Sequence, residues 1–105
     1  MKLSVGDRLI LLSILPREGD FTALKIIRAL GDELSFSEEE HKLLQFQQEG
    51  ELMRWNGKLV DKDITFGEKA TDIIANAFKK LNDQKTLRIE HISLYEKFVY
   101  DNGLK

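Results

Sequence analysis

The chain has 105 residues, of which 42% are hydrophobic and 32% charged, so we expect one compact globular domain over residues 1–105. Its 16 Lys and Arg against 18 Asp and Glu give a net charge of −2, which argues against a generally basic nucleic-acid coat. The lack of cysteine excludes disulfides, thiolate zinc sites and cysteine nucleophiles. We expect a cytoplasmic protein, since no apolar run approaches the roughly 20 residues of a membrane-spanning helix.

The first third of the chain predicts two helices. Ser4 followed by Asp7 is a capping start, and Pro16 ends the helix that this pair opens. Residues 9–12 are all apolar, so this helix should be central in the core or covered by a partner. Asp20 caps a second predicted helix. The apolar residues of that helix share one face at spacings of three and four: Ala23, Ile26, Ile27, Leu30 and Leu34.

The middle of the chain changes from a helical to an alternating pattern. Ser37 with Glu40 is a capping box that opens a third helix. After Leu44 the sequence alternates, and Asn56-Gly57 is a strong signal for a type I′ hairpin turn. We expect residues 58–60 to form the returning strand and residues 61–65 to extend it, giving a small antiparallel sheet.

Two more helices follow the predicted hairpin. Thr65 with Glu68 is a second capping box, and the helix that it opens should end near Asn82. Ser93 with Glu96 is a third box, which opens a short final helix. The predicted fold class is therefore α+β and mainly α, with about five helices and a small antiparallel hairpin after the third helix. This is the chain order of a winged helix-turn-helix, an analogy that carries no function by itself.

The charge distribution tests that analogy. A DNA-reading helix must approach phosphates, yet the third predicted helix carries three glutamates, at residues 38–40, against Lys42. Residues 36–61 hold three cations and six carboxylates. Arg54 and Lys58, near the predicted turn, are the nucleic-acid contacts that a winged-helix regulator would use. DNA binding is therefore the alternative function, and nucleic acid is a less favoured partner than protein.

The sequence offers little for catalysis or metal binding. Glu38 and His41 have the E-x-x-H spacing of a helical metal ligand pair, but the chain has no second copy of it. No nucleophile-elbow, phosphate-loop or dinucleotide motif occurs. We expect no enzyme, no cofactor and no metal site.

Aromatic side chains are the candidate protein contacts. Phe36 lies between two predicted helices, Trp55 lies beside the predicted turn, and Tyr95 and Tyr100 lie on the last helix. Aromatic residues are favoured interface anchors, because they bury a large area at a small cost in side-chain entropy. Each could instead fill the core of the domain, and Tyr100 is the most exposed by position.

Four stretches carry a family resemblance: LILLSILP at residues 9–16, the central Trp55, GEKATDII at residues 67–74 and EHISLYEKFV at residues 90–99. Together they resemble a group of small phage and prophage proteins over most of the chain. The resemblance implies expression in a bacterial cytoplasm and supplies no catalytic residues.

The sequence favours a non-enzymatic protein that binds a viral or host protein, or a second copy of itself. The first helix or the aromatic last helix would supply the contact. A third hypothesis is that the protein inhibits a host nucleic-acid enzyme, with the acidic residues 38–40 acting as mimics of phosphates.

Overall fold

The computed structural model describes residues 1–50, 52–56 and 61–100. In chain order the elements are β1 Lys2–Leu3, α1 Val5–Ile14, α2 Phe21–Leu34, α3 Glu38–Leu44, β2 Gln47–Glu49, β3 Leu52–Arg54, β4 Lys62–Asp63 and α4 Glu68–Asp83. A C-terminal segment follows, consisting of a 3₁₀ turn at Ile89–His91, α5 at Ile92–Tyr95 and a π-helical turn at Glu96–Tyr100. The predicted fold class, mainly α with a small antiparallel hairpin after the third helix, is confirmed.

The first three helices begin where their capping residues predict. The backbone N–H of Asp7 donates to Ser4 Oγ at 3.1 Å, and the N–H of Ser4 donates to the Asp7 carboxylate at 3.1 Å. The N–H of Ala23 donates to Asp20 Oδ1 at 2.8 Å. At α3 the N–H of Glu40 donates to Ser37 Oγ at 3.1 Å, completing the predicted box. These local bonds satisfy donors that a helix start leaves unpaired.

The two later capping boxes were wrong predictions. Gly67 precedes α4 without a side-chain capping bond, so Glu68 is the first helical residue instead of the third. The C-terminal segment begins at Ile89, four residues upstream of Ser93. The reason is a contact of His91, whose Nδ1 accepts the backbone N–H of Arg88 at 3.1 Å and closes the first turn there.

Of the two small sheets, the one after α3 is the expected antiparallel hairpin, whereas β4 pairs differently from the prediction. β2 and β3 are antiparallel, with Gln47 opposite Arg54, and the turn between them includes Gly50 at a φ of +61°. The predicted turn at Asn56-Gly57 runs into residues 57–60, which lie outside the described residues. β4 does not extend this hairpin but pairs with β1, with Lys2 opposite Asp63. The N-terminal amine also binds the Asp63 carboxylate at 2.9 Å, a pairing across more than 60 residues that no local pattern could indicate.

The core lies between α1, α2, α4 and the C-terminal segment. Its fully buried side chains include Leu11, Leu34, Ile74, Phe78 and Phe98. Leu11 is buried and Leu9, Ile10 and Leu12 are half-buried, so the fold covers much of the apolar first helix. Within the described residues, no helix has the length and apolar character to cross a bilayer.

Candidate functional site

A buried arginine joins the first three helices. The side chain of Arg8 is only 2% exposed. Its Nε donates to the carbonyl of Leu34 at 3.1 Å, and its Nη2 donates to the carbonyl of Ser35 at 2.6 Å. Its Nη1 donates to the Glu40 carboxylate at 2.9 Å. Arg8 therefore satisfies carbonyls at the end of α2 and a carboxylate in the first turn of α3, which fixes the angle between these helices.

The ion pair also fixes the protonation of Glu40. The hydrogen bond from Arg8 and then the backbone N–H of Ser37 lower the pKa of Glu40 from 4.5 to about 2. Because Glu40 both closes the capping box and neutralises Arg8, one carboxylate starts α3 and compensates a buried charge.

A row of rings extends from Arg8 to the hairpin. The Arg8 guanidinium carbon lies 4.0 Å from the centroid of the Phe36 ring, a cation–π geometry. Phe36 contacts Phe46 edge to face at 4.9 Å, and Phe46 contacts Trp55 at 6.3 Å. His41 meets the rings of Phe36 and Phe46 at 6.1 and 5.5 Å. These four residues, Phe36, His41, Phe46 and Trp55, form what we call the aromatic row, and it connects Trp55 to the buried arginine.

Beside Trp55 lies an open depression of about 400 Å³, the hairpin groove. The described residues that line it are Gln45, Gln47, Met53, Arg54, Trp55 and Asn56. Gln45 ends α3 in the left-handed conformation, with a φ of +48°, which turns the chain toward β2. The N–H of Asn56 donates to the carbonyl of Leu44 at 2.6 Å, so the end of the hairpin is fastened to the end of α3. That bond and the left-handed turn at Gln45 set the position of the hairpin beside α3.

Among the described residues that line the groove, Arg54 is the only charged one. Its side chain is 70% exposed, and its Nε lies 3.5 Å from the Glu49 carboxylate. That distance exceeds the 2.7–2.9 Å typical of a charge-assisted bond, so Glu49 holds the guanidinium only weakly.

Exposed apolar side chains occur in the groove and in the segments that form it. Trp55 and Met53, which line it, are 37% and 40% exposed, and Leu43 and Leu52 close by in the chain are 64% and 67% exposed. This part of the molecule therefore combines a depression with apolar area that the domain does not bury.

The sequence-predicted contact residues fall into two groups. Phe36 is half-buried beneath Arg8, and ring contacts through Phe46 connect it to Trp55. Tyr95 is half-buried and lies 5.8 Å from the ring of Tyr100, which is 54% exposed. No ring contact recorded among the described residues joins the two groups. Of the predicted nucleic-acid contacts, Arg54 lines the groove, whereas Lys58 lies outside the described residues.

Sequence reasoning missed the roles of Arg8, Phe46 and the three amide side chains of the groove. The spacing of Arg8 and Leu11 could have indicated burial of the arginine, since residues three apart share a helix face. No sequence signal brings Gln45 and Asn56 together, because their contact depends on how the hairpin returns to α3.

The E-x-x-H pair also has a structural explanation, because His41 belongs to the aromatic row. Among the described residues, no three His, Asp or Glu side chains lie close enough together to hold one metal ion.

Comparison of the chain with protein-family models, with curated proteins and with solved structures found no match.

Proposed function

We propose that this protein is a non-enzymatic protein-binding module and that its contact surface is the hairpin groove with the exposed apolar residues around it. The observation that carries the proposal is the position of Trp55. This single tryptophan of the chain is 37% exposed and lines the groove. Tryptophan is prominent among the residues that dominate binding energy at protein interfaces.

The anchoring of Trp55 strengthens the proposal. The aromatic row and the Asn56–Leu44 hydrogen bond restrict the ring and its backbone before any partner arrives. A side chain that is already ordered loses less entropy on binding, so a preformed groove gives more affinity for the same contacts.

Two other surfaces receive less support as the contact. The first helix offers less exposed apolar area, since Leu11 is buried and Leu9, Ile10 and Leu12 are half-buried. The C-terminal segment exposes Ile89, Ile92 and Tyr100, but none of them lines a groove described in this structure.

The winged-helix DNA-binding alternative finds one supporting feature, the exposed Arg54. Against it, Glu38 and Glu39 are exposed on α3 and would face the phosphates of a duplex. If the protein is such a regulator, it should shift a DNA duplex at low salt and lose that shift as salt rises.

The resemblance to small phage and prophage proteins directs the search for a partner to bacterial cells. Tagged wild-type protein, Trp55→Ala and Ile89→Ala would be used to capture proteins from a bacterial lysate, with quantification by mass spectrometry. Ile89 is 87% exposed and does not line the groove, so it is the matched control. We expect a partner whose recovery falls at least about tenfold for Trp55→Ala alone.

The same variants test self-association by light scattering at micromolar concentration. A dimer that only Trp55→Ala dissociates would make the second copy the partner. A set of captured proteins, or a dimer, that Trp55→Ala leaves unchanged would contradict the proposed surface.

A further inference from the structure

We propose that the hairpin groove binds an extended peptide segment that carries a carboxylate side chain beside an apolar one. This inference rests on the proposed function and names the chemistry of the partner at that site. Three kinds of lining group support it: amides, one cation and two apolar side chains.

The amides match the backbone of an extended peptide. Gln45, Gln47 and Asn56 are exposed residues that line the groove, and each side chain carries a carbonyl acceptor and an NH₂ donor. Each residue of a bound peptide brings one N–H and one C=O that need partners. The bond from Asn56 Nδ2 to Gln45 Oε1 is long, at 3.4 Å, so these side chains can exchange it for bonds to a ligand at little cost.

The cation selects the sign of the ligand charge. Arg54 supplies the only charge among the described lining residues, and its ion pair within the described part of the chain is the long contact to Glu49. A guanidinium can bind a carboxylate through two parallel N–H donors, a geometry that an incoming Asp or Glu side chain can satisfy. Trp55 and Met53 also line the groove and offer contact area to an apolar side chain of the same peptide.

The same groups resemble those of a single-strand nucleic-acid site, in which aromatic rings stack on bases and cations bind phosphates. Such a site needs a track of cations along the strand. Here Glu49 lies on the hairpin beside Arg54, and Glu38 and Glu39 are exposed on α3. One cation is sufficient to bind one carboxylate. The acidic side chains nearby would repel a polyanion, so the charges favour a peptide over a nucleic acid.

The single tryptophan makes the groove directly observable, because all tryptophan emission of the protein comes from Trp55. A random ten-residue peptide library displayed on ribosomes would be selected against the wild-type protein. The enriched peptides would then be synthesised and titrated while the tryptophan emission is followed. We expect enrichment of Asp or Glu at a fixed spacing from an apolar residue, and a change in emission that saturates.

Charge reversal gives the sharpest test. Arg54→Glu should weaken the selected peptides at least about tenfold, and replacing the peptide carboxylate by lysine should restore binding to that variant. Ile89→Ala should bind as the wild type does. Because Arg54 is largely exposed, Arg54→Glu should fold normally, which circular dichroism checks.

Several results would overturn the inference: no enriched peptide, enriched peptides without a carboxylate, or binding that Arg54→Glu leaves unchanged. Tighter binding of a random single-stranded 12-mer DNA through Arg54 and Trp55 would overturn it in favour of nucleic acid. If these results occur while the captured partner still depends on Trp55, the proposed function stands and only the peptide chemistry is wrong.

Discussion

At the scale of single residues, Arg8 shows how a buried charge is made tolerable. Burial of an unpaired guanidinium would cost several kcal/mol, and a single ion pair rarely offsets that cost. Here the charge meets the Glu40 carboxylate, two backbone carbonyls and the face of Phe36. The two carbonyls are stabilised as well, because helix ends leave such acceptors without partners.

Removing that guanidinium should therefore destabilise the fold strongly. Arg8→Met keeps most of the side-chain volume but leaves the Leu34 and Ser35 carbonyls and Glu40 without their donor. We expect a loss of about 3 kcal/mol in the free energy of unfolding, measured by urea denaturation. Arg28→Met, at an exposed position on α2, is the control and should change it by no more than about 0.5 kcal/mol. Equal losses in the two variants would contradict this role of Arg8.

The pKa of Glu40 predicts a specific dependence of stability on pH. Since folding lowers this pKa from 4.5 to about 2, the folded chain holds fewer protons than the unfolded chain between these values. The stabilisation is complete above pH 4.5 and is lost as the pH falls toward 2. Unfolding measured against pH should show the wild type more stable than Glu40→Gln near neutrality, with the difference disappearing at acid pH. A difference that stays constant would show that the carboxylate charge is not responsible.

His91 predicts a separate transition at higher pH. Burial is the main cause that lowers the pKa of His91 below 6.5, with Arg88 adding to it and Glu90 opposing it. Protonation would also remove the acceptor that Nδ1 offers to the Arg88 N–H. Stability should thus be complete above pH 6.5 and fall as the pH decreases through the lowered value. His91→Gln, which cannot titrate, should flatten this part of the unfolding profile, and an unchanged profile would refute the prediction.

At the scale of elements, helix starts divide into those that the sequence determines locally and those that it does not. Ser37 at the start of α3 forms its predicted capping bond, whereas Ser93 lies inside α5. Ser37→Ala should therefore lower the free energy of unfolding by about 1 kcal/mol. Ser93→Ala should have an effect within about 0.5 kcal/mol, because no capping bond is lost there. Thermal denaturation of the two variants tests these roles of Ser37 and Ser93. A larger loss of stability in Ser93→Ala than in Ser37→Ala would contradict them.

The same contrast explains how much could be predicted from the sequence. The caps at Ser4, Asp20 and Ser37 use partners three residues away, so a local pattern contains the whole interaction. The pairing of β1 with β4 and the closure of the groove by Asn56 join distant segments, and neither has a local pattern. The sequence thus identified Trp55 and Arg54 as candidates, but only the fold brings them together with the amides in one groove.

At the scale of the whole molecule, the core and the candidate site occupy different parts of the fold. The main core cluster lies on α1, α2, α4 and the C-terminal segment, together with Leu3 of β1 and Ile64 next to β4, and α3 adds the buried Leu44. All described residues of β2 and β3 are exposed, and the groove is built around them. Elements with few buried contacts open locally at low free-energy cost, so the binding surface should be less stable than the body that supports it.

Native-state hydrogen exchange can separate these two levels of stability. Ile74 is fully buried on α4, and Ile74→Ala should lower the free energy of global unfolding by about 2–5 kcal/mol. Amides of α1, α2 and α4 that exchange by global unfolding should lose protection by the same amount. Amides of β2 and β3 exchange through local opening, so their rates should not change. Leu52→Ala, at an exposed hairpin position, is the control and should leave the core amides unaffected. If hairpin amides lose protection together with the helices in Ile74→Ala, the hairpin belongs to the cooperative core, and the groove is as rigid as the body of the fold.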